Sequence, residues 1–354
     1  MDLYYYTTAE TMKFILTKGD IFATHISYLN DSEEYVNGLR ELKSLLKSDY
    51  CTETDLQSAA KSHLDESAYN DATNNVPQIY SISFSREPDL LSQWYMYSRE
   101  SGVRLKMCLS RKDKLSFSVK NKLSGETPDF MGIGAELKDV HYFTRIGMET
   151  KEYTREGKKI LKTITEYIKE QKIENDLEGN IIKIWKDTAP FIKNYEFRQE
   201  KEVRLIFKAP QGDKKAALIE YRNAKGVLIP YLDIYRQEGW PVAEIMVGPG
   251  RNQERVFNSI CHFIDCATLK IPPIEQSRNM ILFLEGMRRY QIEEEKINAY
   301  KEKIENSVST IITYKDAIYE CLKDAGEVEE EYLRRNYYSE CGVIVRKSNA
   351  PYEF

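Results

Sequence analysis

Long hydrophobic runs are missing from this chain: nothing in its 354 residues approaches the roughly 18 apolar positions that a membrane-spanning helix needs. Cysteine is scarce and scattered, with six residues at 51, 108, 261, 266, 321 and 341, no C-x-x-C pair and no regular spacing. That pattern excludes a disulfide scaffold and points to reduced thiols in a cytoplasmic compartment. The four histidines include no i, i+4 pair, which removes the usual helical zinc site, and no metal is expected. Basic excess is absent too, since 51 Lys and Arg stand against 56 Asp and Glu for a net charge of −5. No global field therefore recruits nucleic acid or an anionic membrane, although Arg288-Arg289 and Arg334-Arg335 leave local patches and nucleic acid stays open as an acceptor. The first residues lack a charged-then-apolar leader. No P-loop or dinucleotide fingerprint occurs; Gly248-Pro249-Gly250-Arg251 offers amides and a cation before a helix, and reads first as a turn.

What remains is a soluble composition with 42% apolar and 30% charged residues, and a clear local grammar. Leu3–Tyr6 reads as a short aromatic strand, followed by a capping box at Thr7-Thr8-Ala9-Glu10 and a helical stripe of Met12, Ile15 and Leu16 that Gly19 ends. A second strand spans Asp20–Ile26, and Asp31-Ser32-Glu33-Glu34 predicts an N-cap for a helix carrying Tyr35, Leu39, Leu42 and Leu46. Strand patterns recur at Gln78–Ser85, Gly102–Leu109, Glu202–Phe207, Ala217–Tyr221, Gly226–Ile229, Ala243–Val247 and Gly342–Arg346. Helices are expected near 89–94, 152–172, 180–194 and 253–263, and the polar stretch 111–135 reads as a loop. Many short strands without a βαβ rhythm predict an α+β fold around a mixed or antiparallel sheet.

The segment 275–338 differs in texture. Neither Gly nor Pro occurs between Gly286 and Gly326, and Ile297, Tyr300, Ile304, Val308, Ile311, Ile318 and Leu322 recur at steps of three and four. It is expected to be a helical insertion into a core of 1–274 plus 339–354. Its stripe packs either on its own domain or on a second copy or protein partner.

Chemistry concentrates in Glu200-Lys201-Glu202-Val203-Arg204. On a strand, Glu200, Glu202 and Arg204 share one face while Val203, Leu205 and Phe207 enter the core. The arrangement suits a surface ion-pair ladder, or a carboxylate pair whose repulsion raises one pKa while Arg204 keeps the other ionised. Ser81-Ile82-Ser83-Phe84-Ser85 places three hydroxyls on one face by the same rule, whether as an ordinary amphipathic strand or as a ligand-facing row. Trp94 and its tyrosine neighbours can stack on a planar ligand or pack a core. Asn30-Asp31 with Glu33 and Glu34 could hold a divalent metal, which with Glu200 and Glu202 leaves metal-dependent phosphodiester cleavage as the last-ranked option, but helix capping explains them more simply; Cys261-His262 with Cys266 reads as core filling.

The ordered set Leu3–Thr7, Leu29–Glu34, Ser83-Phe84-Ser85 with Asp89–Trp94, Glu200–Arg204, Val227–Pro230, Ile245–Pro249 and Ser348–Tyr352 resembles the bacterial domain-of-unknown-function 2971 family. The layout is also similar to compact ADP-ribosyltransferases, which carry a first-strand Arg or His, a Ser-x-Ser and a late Glu-x-Glu. By that resemblance Ser83 and Ser85 would support an NAD pocket with Tyr5, Trp94 and Arg204. Glu202 would stabilise the oxocarbenium ion and Glu200 would serve the acceptor. The first-strand position here is Tyr5, a phenol with one hydrogen to donate. The resemblance implies an intracellular effector of a toxin or anti-phage defence system. The alternative is a non-catalytic module that senses a small nucleotide or assembles through 275–338.

Overall fold

The computed structural model describes residues 1–29, 33–97, 102–109, 117–121, 129–144, 148–209, 218–224, 226–271, 295, 298, 336–338 and 343–350. In chain order these begin with β1 (Asp2–Thr8), α1 (Ala9–Lys18), β2 (Asp20–His25), α2 (Glu34–Lys47), α3 (Thr54–His63), α4 (Glu66–Asn74), β3 (Ile79–Ser85), α5 (Leu91–Tyr97) and β4 (Gly102–Cys108). Next come β5 (Phe117–Asn121), β6 (Asp129–Ile133), β7 (Ala135–Asp139), β8 (His141–Tyr142), α6 (Thr150–Glu170), α7 (Leu177–Thr188), β9 (Ile192–Lys193) and β10 (Glu202–Lys208). The chain continues through β11 (Ile219–Ala224), β12 (Val227–Tyr235), β13 (Val242–Val247), α8 (Gln253–Cys266), β14 (Asn336–Tyr338) and β15 (Ile344–Lys347). The fold is α+β with mixed strand pairing, as the patterning predicts.

The stretch read as one core forms two compact units interleaved along the sequence, Met1–Ile21 with Phe84–Leu115 and Tyr235–Phe354, and Phe22–Ser83 with Ser116–Ile234. The helical insertion expected at 275–338 lies outside the described residues except for 295, 298 and 336–338.

In the first unit the strand order is β14-β15-β13-β4-β1. β13 and β15 are parallel, while β1 and β4 pair antiparallel along their full length, from Asp2 opposite Cys108 to Thr8 opposite Gly102. Thr8 caps α1 by accepting the Thr11 amide, and Gly19 ends it at φ 80°, a left-handed conformation that glycine adopts without cost.

In the second unit the order is β7-β10-β3-β2-β12-β5-β6, with β11 also paired to β12. The loop expected over 111–135 is corrected here: β5 and β6 form an antiparallel pair with Phe117 opposite Ile133. The period-two signal was only Phe117 and Val119, both buried, inside an otherwise polar stretch. Strand β12 also runs past the expected Ile229 to Tyr235, continuing through Pro230, which pairs opposite Tyr221 of β11.

Helices α2, α3, α6 and α7 bury one apolar layer containing Leu39, Leu42, Leu45, Leu56, Ile164, Ile184 and Trp185. Trp185 donates its indole N–H to the Leu39 carbonyl at 2.8 Å, so the largest ring in the layer brings its own polar group's partner. Gly38 lets α2 approach the turn at Ala189–Phe191: a Cβ there would meet the Ala189 carbonyl oxygen at 2.6 Å. Because that oxygen belongs to backbone, relief requires moving a helix. Gly38→Ala is therefore expected to lower stability by about 1–3 kcal/mol in urea denaturation. Gly132→Ala, with nothing within 4 Å of the added carbon, should cost nothing measurable, and equal effects at both positions would refute the close-approach account.

Candidate functional site

The charged segment singled out in the sequence folds into the interior of the second unit. Strand β10 is buried on both sides through Phe207, so the surface ion-pair ladder is excluded. Glu202 is 6% exposed and Arg204 is 1% exposed. Glu200 differs from expectation in its backbone: it ends a 3-10 turn over Tyr195–Glu200, and Lys201 follows at φ 42°, ψ 50° before the strand starts. That left-handed residue replaces the strand's alternation as the reason both carboxylates converge.

They converge on Lys193, which the sequence reading did not single out. Its ammonium lies 2.7 Å from Glu200 Oε2, 3.0 Å from Glu202 Oε2 and 3.6 Å from Glu34 Oε2. The two-residue ribbon of β8 and β9 holds Lys193 in place, with the Phe143 N–H donating to the Lys193 carbonyl at 2.9 Å. Tyr142 of the same ribbon accepts the Glu202 backbone N–H at 2.6 Å.

Arg204 is the second cation. Its Nε donates to Glu202 Oε1 at 2.7 Å, Nη1 to the Pro190 carbonyl, and Nη2 to Glu34 and, at 3.1 Å, to Glu202 Oε2. Glu34, read as a capping residue, is buried at the start of α2; the N-cap position is Glu33, which makes no side-chain cap bond. The helix start aims an acid at Arg204 instead. Finally, Ser83 of β3 lies near Glu202 and helps keep it ionised, bringing the two sequence-distant motifs together through adjacent strands.

Three carboxylates thus share two cations. Burial alone would raise the Glu202 pKa, but the charges of Arg204 and Lys193 and the hydrogen bonds from Arg204 and Ser83 outweigh it and hold the carboxyl down at about 2. Glu200 moves the other way. Burial raises it above its ordinary 4.5, and the charge of Lys193 only partly offsets this because Glu202 and Glu34 compete for the same ammonium. Lys193 itself is driven upward by those acids against the cost of its burial.

The remaining expected site residues fall in the first unit. Tyr5 is half-buried with its ring 5.8 Å from Phe84. Ser85 is buried and accepts the Glu87 amide at 2.9 Å, which makes it a turn residue rather than a ligand contact. Trp94 is corrected in the same way. It is 2% exposed, its indole donates to Asp89 at 2.6 Å, Tyr6 meets it edge-on at 4.8 Å, and a Cβ at Gly248 would strike its ring at 2.7 Å. Asp89 also receives the Ser348 hydroxyl at 2.6 Å, so the aromatic belongs to a packed node. Arg204 is likewise a positioning group for Glu202 and Glu34, with its donors consumed inside the protein. Ser83, Glu200 and Glu202 remain as candidates for contact with a reacting molecule. Among the described residues no group of three His, Cys, Asp or Glu converges as a metal site, and at the three glutamates the Lys193 ammonium takes the central position.

No helix among the described residues is long and apolar enough to cross a membrane. No protein family, curated protein or solved structure matches the chain.

The cluster's charge count makes two measurements decisive. Lys193→Met should cost about 3–5 kcal/mol in urea denaturation, because it strands buried carboxylates. For Glu200, a folded pKa above 4.5 means that the native state binds its proton more tightly than the unfolded chain. Its contribution therefore weakens as pH rises from 4.5 through the raised value, whereas that of Glu202 is complete above 4.5 and fades as pH falls toward about 2. Urea midpoints from pH 4 to 7 should show Glu200→Gln removing a downward slope with rising pH; an unchanged slope would contradict the assignment.

Proposed function

We propose that the Ser83–Glu200–Glu202 cluster serves transfer of an ADP-ribosyl group from NAD, the chemistry that the sequence resemblance implies. The observation that carries the reading is that Ser83 and Glu202, residues on adjacent strands drawn from the Ser-x-Ser and Glu-x-Glu motifs, lie near enough for the serine to help keep the carboxylate ionised. The electrostatics are suited to it. Glu202 stays ionised at any physiological pH, as a group stabilising an oxocarbenium ion must. Glu200, with its pKa raised, is the member better suited to take a proton from an acceptor hydroxyl or amine. The excess of one carboxylate over the two cations favours the positively charged nicotinamide ring over an anionic group. As the glycosidic bond breaks, nicotinamide leaves with the bonding pair and positive charge develops on the ribose beside Glu202. Ser83 and Arg204 fix the carboxylate's orientation, and Lys193 sets how strongly Glu200 holds its proton. Membership of a toxin or anti-phage defence system extends this reading through the sequence resemblance alone.

A second reading is favoured by one observation: both Glu202 oxygens are already bonded to Arg204, with Lys193 and Ser83 adding further contacts. A carboxylate so fully engaged equally suits a non-catalytic, ligand-sensing module with a structural ion cluster.

Nicotinamide release from NAD separates the two. Under the transferase reading, purified chain consumes NAD, Glu202→Gln lowers the rate by about 100-fold or more, and Ser83→Ala by about tenfold while the protein remains folded by circular dichroism. Wild-type protein that leaves NAD intact overturns the transferase reading and favours the module.

A further inference from the structure

The second unit contains a cavity of about 510 Å³ lined by Ser44, Lys47, Ser48, Tyr50, Met148, Thr150 and Tyr153. It lies between the C-terminal end of α2 and the beginning of α6, and none of its lining residues belongs to the glutamate cluster. Its chemistry is one-sided. Five of the seven side chains carry hydroxyls, Lys47 is the only charged one, and no carboxylate lines the space.

Lys47 is half-buried and forms no ion pair among the described residues, although carboxylates are plentiful in the chain. Burial and the neighbouring charge of Lys43, one helical turn earlier, push its pKa below the usual lysine value, and the more distant Asp65 carboxylate only partly offsets them. A half-buried ammonium without a direct ion partner gains from an added anion. Hydroxyls supply the further donors: Ser44 and Thr150 line the space beside Lys47, while Ser48 is turned back on the Leu45 carbonyl at 2.6 Å.

Size and shape narrow the anion. The volume falls within the roughly 300–1,000 Å³ typical of small-molecule sites and far exceeds a lone oxyanion. Two aromatic rings and a thioether also line the space. Tyr50 and Tyr153 meet edge to face at 5.4 Å, Tyr153 leans on Phe143 at 4.6 Å, and Met148 completes the wall. An exposed tyrosine braced by a second ring provides a stacking platform.

We propose that this cavity binds a small phosphorylated molecule of nucleotide size, with its phosphate against Lys47, Ser44 and Thr150 and its planar ring against Tyr50 and Met148. The site is separate from the glutamate cluster and does not depend on the transferase reading.

Titration calorimetry on the full chain tests it with ADP and adenosine as probes. ADP should bind saturably, adenosine should bind at least tenfold more weakly, and Lys47→Glu should weaken ADP at least tenfold. Thr150→Trp, at an exposed position on the cavity wall, should do the same by filling the space, whereas Ser83→Ala should leave this ADP binding unchanged. Absence of ADP binding at millimolar concentration overturns the proposal. So does adenosine binding as tightly as ADP, or ADP binding that survives both cavity variants. Binding lost in Ser83→Ala but kept in Lys47→Glu would assign the nucleotide to the glutamate cluster and likewise overturn the cavity site.

Discussion

The buried guanidinium of Arg204 is the constraint around which the second unit is organised. A charge 1% exposed has given up its hydration, and only a complete set of acceptors makes that tolerable. Four acceptor oxygens from three groups oblige: both oxygens of Glu202, one of Glu34 and the carbonyl of Pro190. They come from a strand, a helix start and a turn, so satisfying one side chain fixes three elements relative to one another. The arginine's planar fork explains why no lysine would serve here, since a point charge cannot hold two carboxylates in register.

The acids around it illustrate how one environment can drive similar groups apart. Glu202 and Glu200 are separated by a single residue and are almost equally buried, yet their proton affinities move in opposite directions. Burial acts on both alike. The difference lies in the partners: Glu202 takes two donors of Arg204 and the neighbouring Ser83 besides, whereas Glu200 depends on an ammonium that two other carboxylates also claim. A pair whose proton affinities diverge so close together is the arrangement that acid–base chemistry uses.

Much of the architecture was legible because it obeys short-range rules. The Thr8 cap, the stop at Gly19, the β1 and β3 strands and the helices on either side of 175 followed from capping chemistry and periodicity. The segment 200–204 stood out because charge is rare on a core strand. What escaped had physical reasons. Lys193 sits in a two-residue strand too short to show any period, and its role exists only through partners elsewhere in the chain. Glu34 imitates a capping residue so well that nothing local marks it as buried. The β5–β6 pair was obscured by polar surroundings, and the left-handed turn at Lys201 lacks the glycine that would have announced it. Trp94 showed the opposite failure: an aromatic among polar neighbours looks available to a ligand, while its packing against Tyr6 and Gly248 is a tertiary fact.

Gly38 carries the geometry of the helical layer into the charge cluster. The same close contact that seats α2 on the 189–191 turn sets the reach between Glu34, one turn earlier on that helix, and the Pro190 carbonyl, the two groups that grip opposite arms of Arg204. A side chain's absence thus acts as a spacer of fixed thickness. Electrical order in the interior is tuned by how near a helix is permitted to settle, and slippage there would unbalance the charges while leaving the fold recognisable.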